Sequence, residues 1–283
     1  MELVNAIPEE IISSVSFVLL YVAVFALSKW LNGLTLPYNL NQQLTEEDNP
    51  AVAVSLAGYF VAVTIIFTGA VDGPGYGLAY DLLLVGGYSL GGIVFLNISR
   101  WINDKLILHK FSTNKEIIQD RNSGTGVVQA ASYIASGLVI AGAVHGEGGG
   151  VLSALVFYAV GQVILIVFAW LYEKATPFSY HDEIEKDNLA AGLGLAGGMI
   201  SIGIIIMKAT SGDFESYADH FSTLAFDVAL ILVYIFFVRF FFDKIIIPAS
   251  DLSKEISQDK NVGAGLLEMC TSISFATVLF YVL

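Results

Sequence analysis

The chain has 283 residues, 55% of them hydrophobic and 14% charged, with a formal net charge of −13. Soluble chains average about 25% charge, so this composition excludes an ordinary soluble domain and points to a multi-pass membrane protein. The acidic balance offers no basic footprint for nucleic acid, and a single cysteine, Cys270, excludes an internal disulfide.

Eight apolar stretches reach the roughly 20 residues that a bilayer crossing requires: 11–31, 52–71, 80–101, 125–144, 151–172, 189–208, 221–241 and 262–283. In lipid the backbone must satisfy its own hydrogen bonds, so each is predicted to be a helix. The first follows Pro8-Glu9-Glu10, acids that suit a helix N-terminus. Three glutamates and no Lys or Arg among the first ten residues predict no cleavable signal. The odd-numbered stretches exit at Lys29-Trp30, Arg100-Trp101, Trp170 before Lys174, and Arg239 before Lys244, a placement that fits interfacial anchors.

The connections after odd stretches are the longer ones. Residues 105–110 and 244–248 continue the helix beyond the membrane surface. Thr113-Asn114-Lys115-Glu116 then resembles a capping box with Thr113 as the cap, predicting a short surface helix that ends near Asp120, with a counterpart at 251–258. Residues 176–181 read as irregular. The connections after even stretches, such as 72–77 and 146–150, are glycine-rich turns. Without a Gly-Lys-Ser/Thr ending they are not phosphate cradles.

Every even stretch begins at an asparagine: Asn49, Asn122, Asn188 or Asn261. Asparagine is a favoured N-cap, the neighbouring Asp48, Asp120, Asp187 and Asp259 add favourable charge, and Pro50 suits the first helical position. Asn49 to Asn188 and Asn122 to Asn261 are both 139 residues, and Glu116–Gly126 recurs at Glu255–Gly265. The chain therefore reads as two tandem halves, 1–148 and 149–283, each of two similar hairpins. Small residues recur in register after the asparagines. They are Ala51, Gly124, Ala190 and Gly263 at +2; Gly58, Ala131, Gly197 and Cys270 at +9; and Ala62, Ala135, Ser201 and Ser274 at +13. Such faces let membrane helices approach closely, which predicts a tight central cluster of even helices with the bulkier odd helices outside.

Of the 13 basic residues, 12 fall in or beside the connections after odd stretches, leaving Lys208. The positive-inside rule makes those connections cytoplasmic and both termini external. Two acids stand within apolar stretches, Asp227 and Glu268. Intramembrane ionisable groups are costly and point to function. Glu268 lies at +7 in the eighth stretch, and Gln129 holds that place in the fourth.

The paired-helix units, the motif Glu-Ile-x-Gln-Asp-Lys/Arg-Asn-x-Gly-x-Gly at 116–126 and 255–265, and its degenerate forms at 47–53 and 186–192 resemble the domain-of-unknown-function 350 family of bacterial inner-membrane proteins. The likeness covers about 10–283 as two tandem copies. It implies a bacterial inner-membrane location and a paired-helix fold, and supplies no catalytic residue.

The expectation is thus an all-α polytopic membrane protein, eight transmembrane helices in four pseudo-repeated hairpins, in contact with the lipid bilayer. No His-Glu-x-x-His, Cys-x-x-Cys or Gly-x-Ser-x-Gly occurs, so neither an enzyme nor a metal or other cofactor is expected. One functional reading is a small-cation or proton conduit with an acidic outer face, its path marked by Glu268, Gln129 and Asp227. The alternative is a non-transporting scaffold or stress-response component that holds a cytoplasmic partner through the longer connections. A small-residue surface also makes a homo-oligomer a candidate partner.

Overall fold

The computed structural model describes residues 8–73, 75–146 and 149–283, without the side chains of residues 231 and 234–236. The boundary expected between 148 and 149 falls beside residues outside this set. Eight long helices are joined by short ones: α1 (Glu9–Thr35), α2 (Leu40–Thr45), α3 (Pro50–Val71), α4 (Leu78–Leu106), α5 (Thr113–Ile118), α6 (Ser123–Val144), α7 (Gly150–Ala175), α8 (Tyr180–Glu185), α9 (Leu189–Thr210), α10 (Tyr217–Phe241), α11 (Leu252–Ser257) and α12 (Val262–Val282). No strand occurs among the described residues. Seven of the long helices are long and apolar enough to cross a membrane; α10, with 25 residues, is the other long helix.

The four asparagines start α3, α6, α9 and α12, each side chain accepting backbone N–H groups of the first turn. The residue before each asparagine is left-handed: among the described residues Asp48, Arg121, Asp187 and Lys260 are the non-glycine residues of positive φ, between 48° and 55°. That conformation closes the preceding short helix, and the asparagine N–H bonds back to Gln43, Glu116, Glu183 or Glu255. A helix C-terminus thus runs directly into the next helix N-terminus four times over. At α5 the cap is Ser112, whose Oγ accepts from Lys115 N, and not the expected Thr113. Glu116 instead accepts from Asn122 Nδ2 at 3.0 Å. Residues 176–181, read as irregular, contain Ser179 capping α8, and α2, capped by Asn39, was not anticipated.

The expected cluster around a shared centre is replaced by a row. Helix α3 packs on α6, α6 on α9 and α9 on α12, while α3 and α12 form no packed pair. Over this row lies a second one. Helix α4 packs on both α3 and α6, α7 on both α6 and α9, and α10 on both α9 and α12. Helix α1 packs on α4 and on one member of the first row, α3. The middle helices, α6 and α9, are buried along most of their length, and α12 at the edge is mostly exposed.

The row forms because each contact uses small residues in one register. The +2 residue of one helix meets the +4 residue of the next: Ala51 with Gly126, Gly124 with Gly192, Ala190 with Gly265. The +13 residue meets +15: Ala62 with Gly137, Ala135 with Gly203. A Cβ on Gly126 would lie 2.7 Å from the Ala51 carbonyl oxygen, so backbone contact here requires glycine. Close approach multiplies dispersion contacts that bulkier residues would prevent. Gly58, Ala131, Gly197 and Ser201 are likewise buried. The stripe expected to pack on α12 does not: Gly263, Cys270 and Ser274 are exposed, because the row ends there and no helix follows.

Candidate functional site

Glu268 is 1% exposed, on the side of α12 that faces α9 and α10. Tyr172 of α7 donates its hydroxyl to Glu268 Oε1 at 3.0 Å, and Arg239 of α10 brings Nη1 to 3.7 Å from the same oxygen. Arg239 also donates to the Tyr180 hydroxyl at 3.3 Å and, through Nη2, to Ser253 Oγ of α11 at 3.1 Å. Tyr180, the first residue of α8, donates to the Tyr172 hydroxyl at 3.3 Å. Five elements therefore contribute to one polar network that ends on the Glu268 carboxylate. The tyrosines are held by a stack of rings running Phe168, Tyr172, Tyr180 and Phe178. Burial and the nearby Glu268 carboxylate push the Tyr180 hydroxyl well above the ordinary tyrosine range, so at neutral pH it keeps its proton.

The second carboxylate oxygen, Oε2, is buried without a hydrogen-bond partner. It points at Gly194, where a Cβ would stand 2.5 Å away, so only glycine leaves room for the carboxylate in this orientation. Glu268, Tyr172 and Arg239 also line a small void, together with Gly198, Ser201, Val238 and Ser272. The void has the size that holds a single water. A buried carboxylate with one anchored oxygen and one oxygen without a hydrogen-bond partner can bind and release a proton.

The other expected site residues lie elsewhere. Gln129 of α6 accepts from Ser55 Oγ at 2.5 Å and donates to Asp104 of α4 at 3.3 Å, a polar chain of its own. Asp227 is buried against Lys208 of α9, Nζ to Oδ2 2.8 Å. It stands twelve residues from Arg239 on α10 and so about 18 Å along the helix, at 1.5 Å per residue. Asp227 and Glu268 are thus members of two separate ion pairs. Arg239, Tyr172 and Tyr180 are partners that the sequence reading passed over. Arg239 stood among the interfacial anchors, and its 139-residue offset from Arg100 was the signal that it belongs to a repeated position. Among the described residues no three of His, Cys, Asp or Glu gather as a metal site.

A family model described as Domain of Unknown Function (DUF350) matches residues 5–144 and again 148–283. The chain belongs to the DUF350 family. Across both DUF350 segments it is similar to a UPF0719 transmembrane protein of Aquifex aeolicus (strain VF5), 26% identical over 249 residues, which cover 84% of this chain and 88% of that one. No solved structure matches. The Arg239–Glu268 pair and both tyrosines lie within the second DUF350 segment; Gln129, Asp104 and Arg100 lie within the first.

Proposed function

We propose that this DUF350 protein is a proton conduit of the bacterial inner membrane, with Glu268 as its proton-binding group. All eight long helices cross the bilayer as four hairpins. The end bearing α2, α5, α8 and α11 is cytoplasmic and both termini are external, in keeping with the placement of 12 of 13 basic residues. The observation that carries the reading is a buried carboxylate whose Oε2 has no hydrogen-bond partner, on a residue that lines a void the size of one water. A void that small suits a proton passed between Tyr180, Tyr172 and Glu268 better than a hydrated metal cation. Intramembrane carboxylates in such settings serve as proton relays. Gln129 serves as a hydrogen-bonded packing group, and the Asp227–Lys208 pair holds the external end of α9 to α10.

Purified protein in liposomes, with a pH-sensitive dye inside and an imposed membrane potential, tests this. Wild type is expected to pass protons but not K⁺ or a polyamine, and Glu268→Gln to lose the proton flux while remaining folded. Absence of flux for every cation sinks the transport reading. It would leave the cytoplasmic layer of short helices, fixed by the asparagines, as a platform for a soluble partner.

A further inference from the structure

The row of α3, α6, α9 and α12 is built from one interface used three times, and its two ends carry the unpaired halves of that interface. We infer that a second copy of this chain docks there head to tail, with α12 of one copy seated against α3 and beneath α1 of the next.

Each internal contact is directional. One helix offers its +2, +9 and +13 residues, and the following helix offers +4, +8 and +15, as at Ala51 with Gly126, Gly58 with Ala130 and Ala62 with Gly137. At the end of the row α12 presents +2, +9 and +13 uncovered, as Gly263, Cys270 and Ser274. At the beginning α3 presents +4 and +8 uncovered, as Ala53 and Ala57, with Thr64 at +15 half-buried under Tyr21. The exposed faces are therefore complementary to each other and not to themselves.

Two further features end in the same incomplete way. The capping asparagines lock each helix to the next short helix: Asn49 Nδ2 donates to Ile117 O at 2.9 Å, Asn122 Nδ2 to Ile184 O at 2.6 Å and Asn188 Nδ2 to Ile256 O at 2.8 Å. Asn261 is exposed, and its Nδ2 donates back to Glu255 of its own short helix. The corresponding acceptor on α2 would be the carbonyl of Leu44, five residues before Asn49 as Ile117 and Ile256 precede Asn122 and Asn261 by five. The upper row repeats the pattern. Helices α4, α7 and α10 each bridge two helices of the lower row, whereas α1 rests on α3 alone. A second copy's α12 beside α3 gives α1 its second support and Asn261 its carbonyl. The fit is continuous with three interfaces already formed inside the chain, which is what selects a second copy as the occupant over lipid. A heterologous contact of this kind closes into a ring or runs on as a filament, and the same face is used once on each copy. Rotation about the membrane normal keeps every copy in the same orientation. The inference is independent of proton transport.

The single cysteine provides the test. Cys270 at +9 would lie beside Ala57 at +8 of the neighbouring copy, in the place that Ala131 at +9 of α6 and Ala196 at +8 of α9 hold inside the row, both buried, so that a cysteine at 57 would come within disulfide reach of Cys270. In proteoliposomes treated with a mild oxidant, Ala57→Cys is expected to give a ladder of covalent multimers, and Leu83→Cys, exposed on α4, none. Native mass spectrometry from vesicles is expected to find wild type oligomeric and Ala57→Trp monomeric with its helix content unchanged, since position 57 is exposed in a single copy. A monomeric wild type, a Cys270–Cys270 bridge between wild-type copies, or an Ala57→Trp variant that stays oligomeric overturns the inference.

Discussion

Gln129 and Glu268 hold the same place in α6 and α12, seven residues past their capping asparagines, yet they sit in different chemistry. In the first half the carboxylate stands on the outer-row helix as Asp104, and the amide of Gln129 joins it to Ser55. In the second half the carboxylate has moved to the inner row as Glu268. Asp243, at the Asp104 position, caps the backbone of Leu252 instead. Arginine is kept in both halves, but Arg100 reaches out to the Thr35 carbonyl while Arg239 turns in to Glu268. One scaffold has thus been given an amide-bridged carboxylate in one half and a carboxylate–arginine pair in the other. A duplicated frame tolerates this because the backbone contacts that hold it, between small residues in the row, do not involve position +7.

The largest expected effect separates the two arginines. Removing one partner of a buried ion pair leaves a charge without compensation and costs about 3–5 kcal/mol, so Arg239→Leu is expected to lower unfolding stability in detergent by that amount. Arg100→Leu is expected to cost less, about 1.5 kcal/mol, the lower end for a hydrogen bond made by a charged group, since this one is exposed. The double variant Arg239→Leu/Glu268→Leu should recover most of the loss. Equal losses at 100 and 239 would mean that the halves do not differ in the way their geometry indicates.

The next effect compares asparagines. Asn122 caps α6 and also bonds the buried Ile184 carbonyl, whereas Asn261 caps α12 at an exposed edge. Losing a cap costs about 1 kcal/mol, and orphaning a buried carbonyl adds about 1–3 kcal/mol. Thermal unfolding of Asn122→Ala and Asn261→Ala in the same detergent should therefore show the larger drop at 122. If the two copies assemble as inferred, the gap should narrow in proteoliposomes, where Asn261 gains a neighbour.

Helix identity was legible from residue types, because a bilayer-length apolar run admits one backbone solution. The capping role was legible because an asparagine that follows an aspartate by one or two residues and opens an apolar run has few other uses. The arrangement of the helices was not. Small residues at +2, +9 and +13 report that a face is packed, but a ring and a row use the same face, and only the second face at +4, +8 and +15 distinguishes them. Ala53 and Ala57 carry that signal on α3 and were not counted. The site was half legible. Glu268 stood out as a charge within an apolar run, but its partners did not. Arg239 resembles an interfacial anchor in sequence, and a tyrosine such as Tyr180 at the start of a short helix carries no mark of burial. Such pairings depend on where α8 and α10 come to rest, which local pattern does not encode.

The smallest effect concerns acid. Each asparagine is held by an acceptor on its own short helix: Gln43 for Asn49, Glu116 for Asn122, Glu183 for Asn188 and Glu255 for Asn261. Hydrogen bonds from Ser250 and Asn261 hold the Glu255 carboxyl below its ordinary value. At Glu183 burial pushes upward, but the bonds from Asn188 and Lys186 outweigh it and the carboxyl is again lowered. A carboxyl with a lowered folded-state pKa contributes stability that is fully present above its unfolded value and is lost as pH falls through the folded one. Both locks should therefore be unaffected near neutrality and loosen below the ordinary carboxylate range around 4.5. Amide exchange measured along that descent should quicken in α8 and α11 before α2, because Gln43 has no proton to take up. Glu255→Gln should abolish the difference between α11 and α2, and a wild-type α2 that loosens at the same pH as α11 would assign the acid sensitivity to some group other than these carboxylates.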